Sequence, residues 1–250
     1  MDETLRAYDD ALITVRSRGL ERSAKVYSPE GIQLVDTLAL KQAAEFKRMY
    51  NFSWLGMRVI QFPLDLICLQ QLIFDVRPSL IIETGIAHGG SLIFSASMLK
   101  LLDIPGKVIG IDIDIRAHNR EKIEGHPLYS YISMIEGSSV DDEVVAQVAN
   151  QIDPADRVFV ILDSNHSYDH VRQELSKYQT FVTPGSYLVC MDAALGFVGD
   201  IPRGDEVWFE DNAIRAIREF LDDHNNYKLN PLFEGSGTTS TPFGALKKKY

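Results

Sequence analysis

Residues 79–102 read SLIIETGIAHGGSLIFSASMLKLL: a short apolar run ending on an acid, a glycine-rich turn, then an apolar stretch long enough for a helix. A strand that is apolar throughout belongs in a sheet covered on both faces, and a helix directly after it marks a β–α unit of a parallel sheet. The pattern recurs downstream. GKVIGIDID (106–114), YISMIEGSS (131–139), RVFVILD (157–163) and GSYLVCMD (185–192) read as further strands. DDEVVAQVANQI (141–152), YDHVRQELSKYQTFV (168–182) and DNAIRAIREFLDDH (211–224) read as helices. YKLNPLFEG (227–235) and FGALKKK (243–249) are expected to pair as an edge hairpin. The fold class is therefore an open α/β sheet with helices on both faces, and such sheets bind ligands beyond the carboxyl ends of their strands.

The chain before this region has a different texture. Leu5, Tyr8, Leu12 and Val15 recur at helical spacing. A further helix is predicted from about Pro63 to Phe74, with Pro63 in its first turn where a missing N–H costs nothing. Residues 1–75 are thus expected to form a helical N-terminal extension, and residues 76–250 a single compact domain.

The 250 residues carry 25 Lys plus Arg against 35 Asp plus Glu, a formal net charge of −10. That balance argues against a nucleic-acid partner, which would need a basic stripe. The one basic run, Lys247 to Lys249, reads as a solvated tail. No stretch offers the ~18 apolar residues of a membrane span, and the opening residues lack a signal-peptide layout. Cys68 and Cys190 lie in apolar runs, as buried free thiols of a reducing compartment would. A cytoplasmic protein with a small-molecule partner is expected.

Acids stand at the ends of four strands: Glu83, Asp112, Asp163 and Asp192. The first turn is not the G-x-G-x-x-G of dinucleotide folds, and it lacks the Gly-Lys-Ser/Thr of a phosphate loop. An acid there would repel a pyrophosphate but suits a cationic, hydroxyl-bearing ligand such as S-adenosylmethionine. The competing reading is a tight β–α turn with Ser91 as a cap. Asp112, some 30 residues after the turn, can accept hydrogen bonds from two ribose hydroxyls, or simply form a turn. Gly137, Ser138 and Ser139 could lie beside an adenine ring, although SSVDDE also reads as a helix N-cap.

Five stretches together, WLGMRVIQFPLDL (54–66), PSLIIETGIAHGGSLIFSASML (78–99), VIGIDIDIRAHNR (108–120), ILDSNHSYDHVRQEL (161–175) and VTPGSYLVCMDA (182–193), resemble the cephalosporin hydroxylase/rhamnosyl O-methyltransferase family over roughly residues 54 to 220. The resemblance implies an S-adenosylmethionine-dependent O-methyltransferase with a seven-stranded Rossmann-like sheet. It implies that Glu83, Gly85 and Ser91 hold the methionine end of the cofactor and Asp112 the ribose. It implies a hydroxyl acceptor on a sugar or glycosylated natural product, and a homo-oligomer.

Related enzymes place one Mg²⁺ ligand at the position of Asp163 and two adjacent ones at Met191 and Asp192. Asp192 fits, whereas the thioether of Met191 is a poor ligand for a hard cation. Mg²⁺ would then rest on Asp163 and Asp192 with waters completing its shell. Asp163 would also border the cofactor. His166, three residues after Asp163, is the candidate base, since an imidazole can take the acceptor's proton at neutral pH. Met191 keeps open a second reading, a non-catalytic S-adenosylmethionine-binding subunit. His170 is expected to hydrogen-bond on its helix, and the long loop after Asp192, with Phe197, Trp208 and Phe209, to lie over the site or pack beneath itself.

Overall fold

A computed structural model describes residues 10–17 and 19–250. The central sheet has seven strands, β5 (Leu80–Thr84), β6 (Lys107–Asp112), β7 (Ile132–Glu136), β8 (Val158–Leu162), β9 (Tyr187–Cys190), β10 (Tyr227–Leu229) and β11 (Ala245–Lys248). They lie in the order β10-β11-β9-β8-β5-β6-β7. β5 to β9 run parallel. β11 inserts antiparallel beside β9, and β10 closes the edge against it, as the expected terminal hairpin. The chain enters the sheet at β5, the middle one of the five parallel strands, winds out to β7, then returns to β8 on the other side of β5. The reversal leaves a crevice above the carboxyl ends of β5 and β8.

Neighbouring residues of each strand feed opposite cores, as the two-residue period requires. Ile81, Phe159, Ile161 and Val189 face one core, which they share with α2 (Pro63–Val76) and α3 (Gly90–Leu101). Leu80, Ile82, Val160 and Leu188 face the other, with α5 (Asp142–Ala149), α6 (Tyr168–Tyr178) and α7 (Ala213–Asp223). Both faces being buried, the strands need apolar residues at every position, which is why they read as unbroken runs. α4 (Ala117–Glu124) follows β6, and a one-turn α8 (Leu232–Gly235) precedes β11.

The N-terminal region departs from the helical expectation. β1 (Leu12–Ser17) and β2 (Leu20–Lys25) form an antiparallel hairpin that pairs Leu12 with Lys25 and Ser17 with Leu20. Leu12 and Val15 are therefore strand residues, and Leu5 and Tyr8 lie outside the described residues. The consecutive β-branched Ile13, Thr14 and Val15 favour a pleated strand. Gly19 takes φ +78° in the turn, and Thr14–Ser23 and Arg16–Glu21 contacts tie the strands together.

Helix follows in α1 (Pro29–Glu45), capped by the Ser28 hydroxyl accepting from the Gly31 amide at 3.1 Å. A second hairpin, β3 (Phe52–Trp54) with β4 (Met57–Val59), leads into α2. The expected division after residue 75 falls within the last turn of α2, and α2 shares the sheet's core. Cys68 and Cys190 are buried and unbridged. Among the described residues, no helix is long and apolar enough to cross a membrane.

Candidate active site

The turn between β5 and α3 is built against the end of β8. Gly85 sits at φ +87°, where a side chain is strained, and a Cβ there would lie 2.0 Å from the Asp163 carbonyl oxygen. Only glycine fits. Thr84 accepts the Asp163 amide through its carbonyl, at 2.9 Å, and through its hydroxyl, at 3.2 Å. The Asp112 Oδ2 accepts from the amides of Ile86 and Ala87 at 2.8 and 3.0 Å, and so fixes the turn from the β6 side. Ala87 is held at φ +46° in this arrangement, a conformation that non-glycine residues keep only when their surroundings impose it.

Glu83 lies fully buried beneath the turn. The Ser91 hydroxyl tempers its charge from nearby, but neither carboxylate oxygen makes a hydrogen bond of good geometry. Burial pushes its pKa up to about 7. A buried carboxylate without a partner is costly and is stabilised by an incoming cation. Ser91 does not cap the helix: the N-cap is Gly89 and has no side-chain cap bond.

Three of the predicted residues converge at the next two strand ends. Ligand atoms of Asp163, His166 and Asp192 all lie within 4.8 Å of one another. His166 Nε2 is 3.5 Å from Asp192 Oδ2, and Asp192 itself is held at φ +50°. Desolvation, then the charges of Asp192 and Glu83, hold the Asp163 pKa well above the usual carboxylate range. A hydrogen bond from Gln61 Nε2 to Asp163 Oδ2, 2.8 Å long, opposes that rise. Met191 is fully buried on the other side of the backbone, where its sulfur accepts from the Thr241 hydroxyl at 3.7 Å. It is packed in the core and takes no part in the cluster.

The remaining predicted residues line a neighbouring space. A cavity of about 410 Å³ is bordered by Asp112, Ser138, Ser139, Asn165 and His170. A second, of about 190 Å³, is bordered by Gln61, Ser91, His166 and Asp192. Both share Gly85, Ala87, Asp163 and Ser164. One crevice therefore runs over the β5/β8 switch point, with Asp163 at its centre. The helix after β7 is preceded by Asp141, not by Ser138 or Ser139, at its N-cap. Ser139 instead donates to the buried Glu174 at 2.6 Å, as Ser164 does at 2.7 Å, and His170 Nε2 lies 3.1 Å from both hydroxyls.

Three contributors escaped the sequence reading: Gln61, Glu174 and Arg58, which borders the smaller cavity. Glu174, four residues after His170 on α6, carried a spacing signal. Gln61 and Arg58 carried none, because they arrive from the β3–β4 hairpin and the loop behind it. The loop after Asp192 forms 3₁₀ turns at Ala193–Phe197 and Glu206–Phe209. It is latched to α1 by Lys41–Asp200, at 2.6 Å, and by the Arg203 amide on Glu45. Trp208 packs into a small core with Leu40, Phe62 and Val198, whereas Phe197 and Phe209 stay exposed.

The winding of the sheet is that of a Rossmann-like methyltransferase fold, and a family match places the chain among the S-adenosylmethionine-dependent O-methyltransferases. Comparison with known proteins narrows that class. The family model described as Rhamnosyl O-methyltransferase/CmcI matches residues 46–249, and the chain belongs to this family. The match extends beyond residues 54 to 220 at both ends. A rhamnosyl O-methyltransferase of Mycobacterium tuberculosis (strain ATCC 25618 / H37Rv) is 28% identical over 215 residues, covering 82% of this chain and 84% of the relative. Its Mycobacterium leprae (strain TN) counterpart is 30% identical over 193 residues, covering 74% and 81%.

Among solved structures, CmcI with Mg and SAM has a TM-score of 0.56 at 18% identity over 80% of this chain and 78% of that one. The MycE methyltransferase from the mycinamycin biosynthetic pathway, with Mg and SAH, has a TM-score of 0.53 at 17% identity, over 94% and 67%. Both share the fold.

Proposed function

We propose that the chain methylates a hydroxyl of a sugar or glycosylated small molecule, with His166 taking the proton and a divalent cation, Mg²⁺, on Asp163 and Asp192. The observation that carries this reading is the Asp163–His166–Asp192 cluster at the point where the two cavities meet. The rhamnosyl relatives support the sugar.

The residues fit both expected groups. Glu83 lies buried beneath the turn with no hydrogen bond of good geometry, a negative charge that an ammonium would offset, and Gly85 and Ser91 border the smaller cavity. Asp112 and Ser138 line the larger cavity, which suits the ribose and adenine. Asp163 and Asp192 offer hard oxygen donors whose mutual repulsion a cation relieves, and Mg²⁺ commonly keeps waters at its other positions. S-adenosylmethionine supplies an electrophilic methyl on a sulfonium. Mg²⁺ would acidify a bound hydroxyl.

The chain's own groups then have defined tasks. Asp163 and Asp192 orient the acceptor hydroxyl toward the methyl carbon. His166 Nε2 would receive the proton that the acceptor hydroxyl loses when it is methylated. Asp192 Oδ2, 3.5 Å away, stabilises the resulting imidazolium. Gln61 keeps Asp163 in place.

His166→Ala is expected to lower turnover about 10²-fold or more while calorimetric S-adenosylhomocysteine affinity stays near normal. Unchanged turnover would remove His166 from the mechanism. The buried free thiols support a cytoplasmic setting. Exposed apolar residues on the N-terminal hairpin and α1, among them Leu12, Leu20, Ile32 and Val35, support a homo-oligomer. A net charge of −10 speaks against a nucleic-acid partner.

A further inference from the structure

Beside the crevice, between the β3–β4 hairpin and α4, lies a cavity of about 570 Å³. It shares Tyr50, Arg58 and His88 with the cavity that holds Asp163 and His166, so a ligand can occupy both at once. Its chemistry is opposite to that of the chain as a whole. Not one of its 11 lining residues is a carboxylate, although acids outnumber bases by ten overall. Arg58, His118 and Lys122 line it, and among the described residues none of the three makes an ion pair or side-chain hydrogen bond.

The basic residues next to them are satisfied. Arg116 pairs with Asp114, and Arg120 pairs with Glu124 and Glu136. His118 and Lys122, four residues apart on α4, share the face turned to the cavity. Lys47, over the Tyr50 ring at 5.9 Å, adds positive charge nearby.

We propose that this cavity is an acceptor subsite for an anion, a phosphate or a carboxylate, so that the sugar presented to His166 is acidic: a glycosyl phosphate or a uronic acid. This rests on the sugar O-methyltransferase reading and deepens it. Arg58 sits where the two cavities join, so it grips the anion nearest the sugar. Lys122 and His118 grip its outer oxygens. The Tyr50 ring, half exposed at the same junction, offers an apolar face to the pyranose. Guanidinium and ammonium groups are apt donors to such oxyanions.

The test is calorimetric titration of the full chain, held with S-adenosylhomocysteine, using inorganic pyrophosphate, α-D-glucose 1-phosphate, D-glucuronate and methyl α-D-glucoside. Pyrophosphate and one or both acidic sugars are expected to bind, more weakly as salt is raised, and the neutral glucoside far less well. A preference for glucose 1-phosphate over glucuronate, or the reverse, identifies the anion as phosphate or carboxylate. The double variant His118→Ala, Lys122→Glu should lose roughly tenfold in anion affinity. S-adenosylhomocysteine affinity should not change, because neither residue borders the cavities around Gly85 and Asp163. Equal binding of neutral and acidic sugars, or an unaffected double variant, overturns the inference. Pyrophosphate binding without any sugar binding upholds the anion subsite and removes the sugar reading. Methyl transfer to neutral sugars without anion binding does the opposite.

Discussion

The acidic floor of the crevice and the basic hollow beside it differ in more than sign. Glu83 and Glu174 are drawn away from water with Asp163 half-buried beside them, and Glu83 and Asp163 have raised pKa values. Arg58, His118 and Lys122 stand in solvent. A buried charge without a partner costs folding free energy until its ligand arrives, whereas a hydrated one costs almost nothing. The floor is therefore strained machinery, held by the sheet, and the hollow is an inexpensive surface feature.

The comparison can be broken most forcefully at its centre. Asp163→Asn should lower turnover about 10³-fold and abolish any calorimetric Mg²⁺ signal, because it removes the charge through which the cation would act. Activity that survived the substitution would mean the floor needs no cation. Glu83→Gln sharpens the contrast by opposing two readouts. Its affinity for S-adenosylhomocysteine should fall about tenfold or more. Its melting temperature at pH 8 should rise, since an unpaired buried carboxylate has been removed.

A smaller effect comes from Asp65, buried on α2, where it accepts hydrogen bonds from Thr239 and Ser240. Burial pushes its pKa up to about 6 from 3.8. The folded chain thus holds this proton more tightly than the unfolded one, and the associated stability declines as pH rises from about 4 through 6. The difference is worth about 3 kcal/mol. Melting curves across that window should show the decline flattened in Asp65→Asn, and an unchanged slope would remove Asp65 as its source. Least of all, His118→Ala with Lys122→Ala should leave unfolding free energy within roughly 0.5 kcal/mol of the parent. A larger loss would show that the hollow is structural after all.

What could be read in advance follows the same division. The strands of the sheet were legible because burial on both faces forces an apolar residue at every position, and the terminal acids stood out against such runs. Glu83, Asp112, Asp163 and Asp192 could therefore be singled out as candidates, whereas His166 rested on the family resemblance of the stretch that follows Asp163. Leu12 and Val15 misled because a few apolar residues at helical spacing also fit an exposed hairpin, whose β-branched Ile13 and Thr14 were the better guide. Met191 was noticed for what it could not ligate, but only the fold shows that its side chain faces the core. Gln61 and Arg58 were invisible because their neighbours at the site lie far along the chain.

The contact of Gly85 with the Asp163 carbonyl has a consequence for how such an enzyme can change. Two main-chain segments that touch without an intervening side chain leave no slack, so position 85 tolerates a single residue and the chemistry above it is locked to the scaffold. The hairpin and α4 carry solvent-facing residues that can be exchanged without disturbing that lock. New acceptors can be acquired by redrawing the rim, one surface substitution at a time, while the methyl-transfer floor is inherited whole.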